Sequence, residues 1–219
     1  MPYVSDHTGA QLPVSNLYFA GRTYANHAQE LGNPVSNEPL FFMKPTSVLT
    51  TQGVVHFPPQ NRIHHELEVV LYFGKGGYRI GTDEAYAHIG GFALGLDFTD
   101  RALQNECKQK GHPWLLAKSF VDAAWVSPFY PPYTEHWSRE FWLRVNDQVT
   151  QCATLDTMFL SIPQLINYLS NRFPLLTGDI IFTGTPAGVG PVKVGDQLTL
   201  GLGKEVLGQV FVEKMEDKK

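Results

Sequence analysis

The stretch His64-His65-Glu66-Leu67-Glu68-Val69-Val70-Leu71-Tyr72-Phe73 decides how this chain is read. Apart from Glu68, the residues from Leu67 to Phe73 form an apolar run of strand length, rich in β-branched and aromatic side chains. Residues two apart on a strand share a face, so Glu66 and Glu68 point to one side while Leu67, Val69 and Leu71 pack on the other. The segment is therefore a buried strand headed by two carboxylates. Like charges that close repel unless something positive lies between them, and a hard divalent cation is the usual solution. The alternative is a strand mouth open to water, with both glutamates solvated.

Outward from this strand, Gly and Pro break the chain into short apolar runs, which favours strands over long helices. Strands are predicted at Leu67–Phe73, Ile89–Leu96, Phe141–Val145, from Gln148, and at Asp179–Thr183, Gln197–Gly201 and Val206–Glu213. Asn146-Asp147 is a tight hairpin turn, since both residue types tolerate positive φ. Helices are predicted at Tyr24–Leu31, Asp83–His88, Thr99–Lys110 and from about Met158 to Arg172, the last beginning or kinking at Pro163. Strands that do not alternate regularly with helices point to an α+β fold, a β-rich mixed sheet or roll with a few peripheral helices.

The 219 residues can bury a sizeable core, and 43% hydrophobic with 17% charged residues describe an ordinary globular protein. A formal net charge of -4 argues against a nucleic-acid partner. Cys107 and Cys152 are too few for a disulfide framework and are expected as reduced thiols. Met1–His7 has no basic region followed by an apolar run, and no apolar stretch reaches membrane-spanning length. The cytoplasm is the expected compartment, with no membrane partner.

A third carboxylate, Asp97, ends the run Ile89–Leu96. It is either the N-cap of the following helix or, if strands 67–73 and 89–96 are neighbours, a third ligand completing an all-oxygen site for Mg²⁺ or Mn²⁺. His64 shares the parity of the glutamates and His65 points the other way; both rank below the carboxylates as ligands. His27 and Glu30 lie three apart, the spacing of a base and its orienting carboxylate, and also a spacing found on any exposed helix. Lys118 in Trp114–Phe120, and Lys44 in Phe41–Pro45, are amines among apolar residues. Each either binds an anion or snorkels to the surface. Thr183-Gly184-Thr185-Pro186-Ala187-Gly188-Val189-Gly190 is either an anion-binding loop or a structural turn, and has neither P-loop nor Rossmann spacing.

Taken in order, these motifs resemble the fumarylacetoacetate hydrolase family, specifically its short acylpyruvase-like members. The resemblance rests on Gly21-x-x-Tyr24-x-x-His27-x-x-Glu30, Phe42-x-Lys44-Pro45, His65-Glu66-x-Glu68, Asp97-x-Thr99-x-Arg101-x-x-Gln104, Trp114-x-x-Ala117-Lys118, Asn146 to Gln151, and Gly178-Asp179 through Gly190. It implies Mg²⁺ or Mn²⁺ at Glu66, Glu68 and Asp97, a catalytic dyad of His27 and Glu30, and an active-site Lys118. Arg101, Gln104 and Thr185 are implied to line the site for a substrate carboxylate, and the assembly to be a homodimer. The expected organisation is an N-terminal extension over residues 1–16 and a single catalytic domain over 17–219.

The implied activity is hydrolysis of acylpyruvates, 2,4-dioxo acids such as fumarylpyruvate, to pyruvate and a carboxylic acid. His27 would activate water, and Lys118 would stabilise the charge that develops. The same site also suits an oxaloacetate decarboxylase or a keto–enol tautomerase, and a third reading is a non-catalytic binder of dioxo acids. The family usually has Leu-Asn or Ser-Asn where this chain has Arg22-Thr23, and Phe-Asp followed by a Pro pair where it has Val121–Val126, with Trp125 placed to narrow the pocket. These departures bear on substrate identity.

Overall fold

The computed structural model describes residues 2–24, 38–58 and 63–216. In chain order the strands begin with β1 (Tyr3–Ser5), β2 (Gln11–Pro13), β3 (Leu17–Gly21), β4 (Leu40–Lys44), β5 (Leu49–Thr50) and β6 (Val54–Phe57). They continue with β7 (Ile63–His65), β8 (Leu67–Phe73), β9 (Ile89–Asp97), β10 (Thr99–Asp100), β11 (Ala124–Val126) and β12 (Phe141–Val145). The last are β13 (Gln148–Ala153), β14 (Ile180–Phe182), β15 (Gly190–Pro191), β16 (Gln197–Leu202) and β17 (Glu205–Lys214). Three α-helices are described: α1 (Arg101–Lys110), α2 (Leu115–Lys118) and α3 (Ile162–Ser170).

Two mixed sheets carry the fold, one in the order β4-β3-β14-β8-β9-β11-β5 and one in the order β13-β12-β16-β17-β6. β10-β7-β15 forms a small third sheet, and β1 with β2 forms a hairpin. Central strand β8 is buried at every residue, which is why it reads as a continuous apolar run. Its odd-numbered residues Leu67, Val69 and Leu71 join Leu94, Leu96, Leu143, Leu198 and Leu200 in the large core between the two sheets. Val70 and Tyr72 face the other way, into a second core with Phe19, Phe182, Ala124 and Val126, to which Val4 and Val14 also belong. The full burial of such side chains stabilises by roughly 1.5–3 kcal/mol each, so the register of β8 is strongly specified.

The α+β class is as predicted, and several elements fall where the sequence placed them. Strands β8 and β12 coincide with their predicted spans, and Asn146 in the hairpin turn has φ 54°. Helix α3 starts at Ile162 because Ser161 caps it: its Oγ accepts from Gln164 N in a capping box, with Pro163 in the first turn. The segment predicted as a helix from Asp83 is only a 3₁₀ turn at Ala85–His88. Thr99 and Asp100 do not begin α1 but pair with His64 and Ile63, after which Asp100 caps the helix by accepting from Leu103 N at 3.0 Å. Asp97 is therefore not the cap. Beyond Tyr24, which bridges to Met158, the predicted helix Tyr24–Leu31 lies outside the described residues. Among the described residues no helix is long and apolar enough to cross a membrane.

Candidate active site

Strands β8 and β9 bring the carboxylates together. Their antiparallel register sets Leu67 opposite Leu96 and Glu68 opposite Gly95, and Asp97 N donates to Glu66 O at 2.9 Å. Asp97 is two residues from Gly95 and so falls on the same face as Glu68. Gly95 cannot be larger: a Cβ there would lie 2.6 Å from Phe182, 2.7 Å from Val70 and 2.8 Å from the carbonyl of Trp125. Ligand oxygens of Glu66, Glu68 and Asp97 lie within 4.8 Å of one another, and all three residues are buried. This is the one such group among the described residues.

Three cations converge on it from different segments. Lys118 Nζ donates to Asp97 Oδ2 at 2.6 Å, Thr99 Oγ1 at 2.7 Å and Glu66 Oε2 at 2.9 Å. Arg101 pairs with Glu66 Oε1 and donates through its other terminal nitrogen to Gln104 Oε1 at 2.6 Å. Lys44 Nζ lies 2.5 Å from Asp97 Oδ1 and donates to the carbonyls of Ala123 at 2.6 Å and Phe98 at 3.0 Å. The Lys44–Asp97 contact is a buried ion pair that engages Asp97 Oδ1. Glu68 has a neutral partner instead, accepting from Gly184 N at 2.6 Å. Gly184 adopts φ 101°, and any Cβ would collide with Thr23 Oγ1 at 1.9 Å.

The protonation tendencies follow from burial and charge. Burial, then the charges of Asp97 and Glu66, push the Glu68 carboxyl well above its ordinary range. Burial pulls Lys118 down, but Asp97 and Glu66 outweigh it and hold the ammonium above the usual lysine value. Lys44 is drawn down to about 8, chiefly by burial, with Asp97 opposing and Lys118 adding to the fall. An all-oxygen set of three buried carboxylates, one of them reluctant to ionise beside its like-charged neighbours, fits a hard divalent cation.

The cluster floors a cleft lined by Gly21, Arg22, Phe42, Arg101, Gln104, Lys108, Trp114, Lys118 and Thr185. Thr185 is held by Gln151, whose Nε2 donates to Thr185 Oγ1 at 2.8 Å and to Pro186 O at 2.9 Å. Gln151 Oε1 accepts from Leu67 N at 2.9 Å and from His65 Nδ1 at 3.0 Å.

The structure thus gathers Glu66, Glu68, Asp97, Arg101, Gln104, Lys118 and Thr185 into one cleft, while His27 and Glu30 lie outside the described residues. His65 touches Gln151, and His64 is absent from the ligand cluster. Sequence reading gave no role to Thr99, Gly184, Gln151, Arg22 or Lys108. Thr99, Gly184 and Gln151 had a signal in their places within matching motifs and Arg22 in its departure from one, whereas Lys108 had none.

Comparison with known proteins matches residues 16–212 to the family described as "Fumarylacetoacetate (FAA) hydrolase C-terminal". The chain is 40% identical over 205 residues to the mitochondrial oxaloacetate tautomerase of Homo sapiens, covering 92% of this chain and 93% of that one. It is 39% identical over 187 residues to the mitochondrial oxaloacetate decarboxylase of Dictyostelium discoideum, covering 83% and 86%. The crystal structure of fumarylpyruvate hydrolase from Pseudomonas aeruginosa, in complex with Mn²⁺ and pyruvate, superposes with a TM-score of 0.89 at 33% identity, covering 98% and 96%. The mitochondrial relatives overturn the expectation of a cytoplasmic protein. That expectation rested on the lack of a secretory signal and of a membrane span, and neither distinguishes the cytoplasm from an organelle.

Proposed function

We propose that this chain, which belongs to the fumarylacetoacetate hydrolase family, is a divalent-metal-dependent enzyme acting on small dioxo acids, with oxaloacetate as substrate and keto–enol tautomerisation or decarboxylation as its reaction. The observation that carries this reading is the buried Glu66, Glu68 and Asp97 cluster with the Lys118 ammonium set among its oxygens. In both reactions negative charge develops on the 2-oxo oxygen. Glu66, Glu68 and Asp97 would hold a Mg²⁺ or Mn²⁺ ion, which would supply Lewis acidity against that charge.

The chain's own residues do the rest. Lys118 is a buried cation whose three donors go to Asp97, Thr99 and Glu66, and it stabilises the developing oxyanion by turning one of them to the substrate oxygen. Arg101, Gln104 and Thr185 line the cleft as partners for the substrate's carboxylate end. Because Thr185 Oγ1 accepts from Gln151, its own proton is turned away from Gln151 and is available to a ligand in the cleft that Thr185 lines. Phe42 and Trp114 supply apolar walls that exclude water. His27, oriented by Glu30, is assigned to proton transfer on the strength of its spacing.

Ranking oxaloacetate chemistry first reverses the order expected from sequence, and the identity to the oxaloacetate enzymes supports it. Hydrolytic cleavage of acylpyruvates is the second reading, supported by the likeness to fumarylpyruvate hydrolase. In that reaction His27 would take a proton from water. The test follows enol-to-keto conversion of oxaloacetate by ultraviolet absorbance and pyruvate release by a coupled assay, in Mn²⁺-loaded protein. Acceleration of the conversion, lost at least 100-fold in Lys118→Met, is expected. Acylpyruvate cleavage without any oxaloacetate conversion or decarboxylation would leave the hydrolase reading in its place.

A further inference from the structure

The cleft holds more positive charge than its carboxylates require. Glu66, Glu68 and Asp97 are already matched in number by Lys118, Arg101 and Lys44, each of which contacts one or two of them. Arg22 and Lys108 line the same cleft, and neither has an ion-pair partner among the described residues. Both are half-buried, whereas the carboxylates are buried, so they mark the outer part of the cleft. Lys108 Nζ stands 5.4 Å from the centroid of the Trp114 ring, a placement that holds the ammonium without neutralising it. Burial and the charge of Arg101 depress its pKa, with Arg22 and Lys118 adding to the fall and Glu66 offsetting part of it.

Arg22 carries an independent mark. Its φ is 61°, a left-handed conformation that a long side chain seldom adopts and that accumulates at functional sites. It directly follows β3, so the turn breaks the strand's alternation at the residue whose side chain reaches the cleft. A divalent cation at the carboxylates would add further positive charge. A ligand with one carboxylate leaves that excess uncompensated, and a ligand with a second anionic group further out relieves it.

We propose that Arg22 and Lys108 form an outer anion subsite that binds the distal carboxylate of a dicarboxylic substrate, making the site selective for dianionic dioxo acids over monoanionic ones. The guanidinium offers a two-pronged match to a carboxylate, and the ammonium a point charge beside it. This deepens the proposed function, resting on it for the choice of ligand.

The test measures equilibrium binding to Mn²⁺-loaded protein by titration calorimetry, using N-oxalylglycine as the diacid and its glycine methyl ester. Neither is a β-keto acid and neither has an enolisable carbon next to its oxo group, so binding is read without decarboxylation or tautomerisation. The wild type is expected to bind the diacid at least tenfold more tightly than the ester. Arg22→Asn, chosen because asparagine tolerates the left-handed backbone, and Lys108→Met should each lower that ratio, and the double variant should bring it near one. The ester's affinity should move less than threefold. Melting curves verify that each variant is folded. The proposal is overturned if the wild type shows no preference or no diacid binding, if the double variant keeps the wild-type ratio, or if both ligands weaken equally. Diacid binding with no turnover of oxaloacetate or any acylpyruvate would instead defeat the functional reading and leave the subsite standing.

Discussion

Gln151 is a single side chain that ties together the metal-bearing strand, the Thr185 loop and the β12–β13 hairpin, and replacing it measures that tie. The residue is 1% exposed. Its orientation is fixed, because a backbone N–H such as that of Leu67 can only donate and the Pro186 carbonyl can only accept. With Oε1 as acceptor, His65 must carry its proton on Nδ1. Gln151→Met keeps the shape but strands the Leu67 N–H and the Pro186 carbonyl, at about 1–3 kcal/mol each. For a chain of this size each kcal/mol lowers Tm by roughly 2–4 °C, so a fall on the order of 5–20 °C is expected by calorimetry. Gln151→Glu is the functional companion. It keeps the acceptor for Leu67 N but gives Thr185 a carboxylate to donate to, which turns the hydroxyl proton out of the cleft. Oxalate affinity of the Mn²⁺-loaded protein should then fall about tenfold, the equivalent of 1.4 kcal/mol. A Gln151→Met variant melting within about 2 °C of wild type, or unchanged oxalate affinity in Gln151→Glu, would refute the reasoning.

Three further outcomes are expected. Glu68→Gln removes a buried carboxylate whose ionisation burial already opposes while keeping an acceptor for Gly184 N; it should raise the melting temperature of the metal-free protein and weaken Mn²⁺ binding at least 100-fold, and a lower metal-free Tm would contradict this. Gly95→Ala forces a methyl into three contacts below 3.0 Å, so destabilisation of about 1–3 kcal/mol or more by urea titration is expected, and a neutral result would mean that β9 shifts freely. The Cys152 thiol, although exposed at the surface, is pushed up to about 11 by partial desolvation and by its hydrogen bond and proximity to Glu140, so its alkylation at pH 8 should be about 100-fold slower than that of an unperturbed thiol; a half-maximal rate near pH 8.5 would sink this.

What could be read in advance was local. The period-two pattern of β8 survives in the structure because both of its faces are buried, which leaves the register no freedom. The Asn146 turn and the start of α3 beside Pro163 are short-range chemistry, and both appear as read. Strands β4, β6 and β11 escaped notice because each is short and owes its pairing to a distant partner: β11 pairs with β9 and β5, and β6 with β17. The 3₁₀ turn at Ala85–His88 is the converse case, a helical composition with too few residues to propagate.

Lys44 and Lys118 show where sequence reasoning stops and why. Both sit among apolar residues, and both are buried at 2% exposure. From context alone each is an anion binder or a snorkelling amine, and nothing local separates them. The fold separates them by what each donor meets. Two of the contacts of Lys44 are backbone carbonyls, of Phe98 and Ala123, flanking the carboxylate it braces, and it does not line the cleft. Lys118 spends its donors on Glu66, Asp97 and Thr99, and it does line the cleft. An ammonium anchored to carbonyls is committed to holding Asp97 in place, whereas one held by side chains at the cleft floor can redirect a donor toward a ligand oxygen. The same residue type in the same kind of sequence thus braces a carboxylate at one position and faces the cleft at the other, a distinction made by β9 and β11 arriving from elsewhere in the chain.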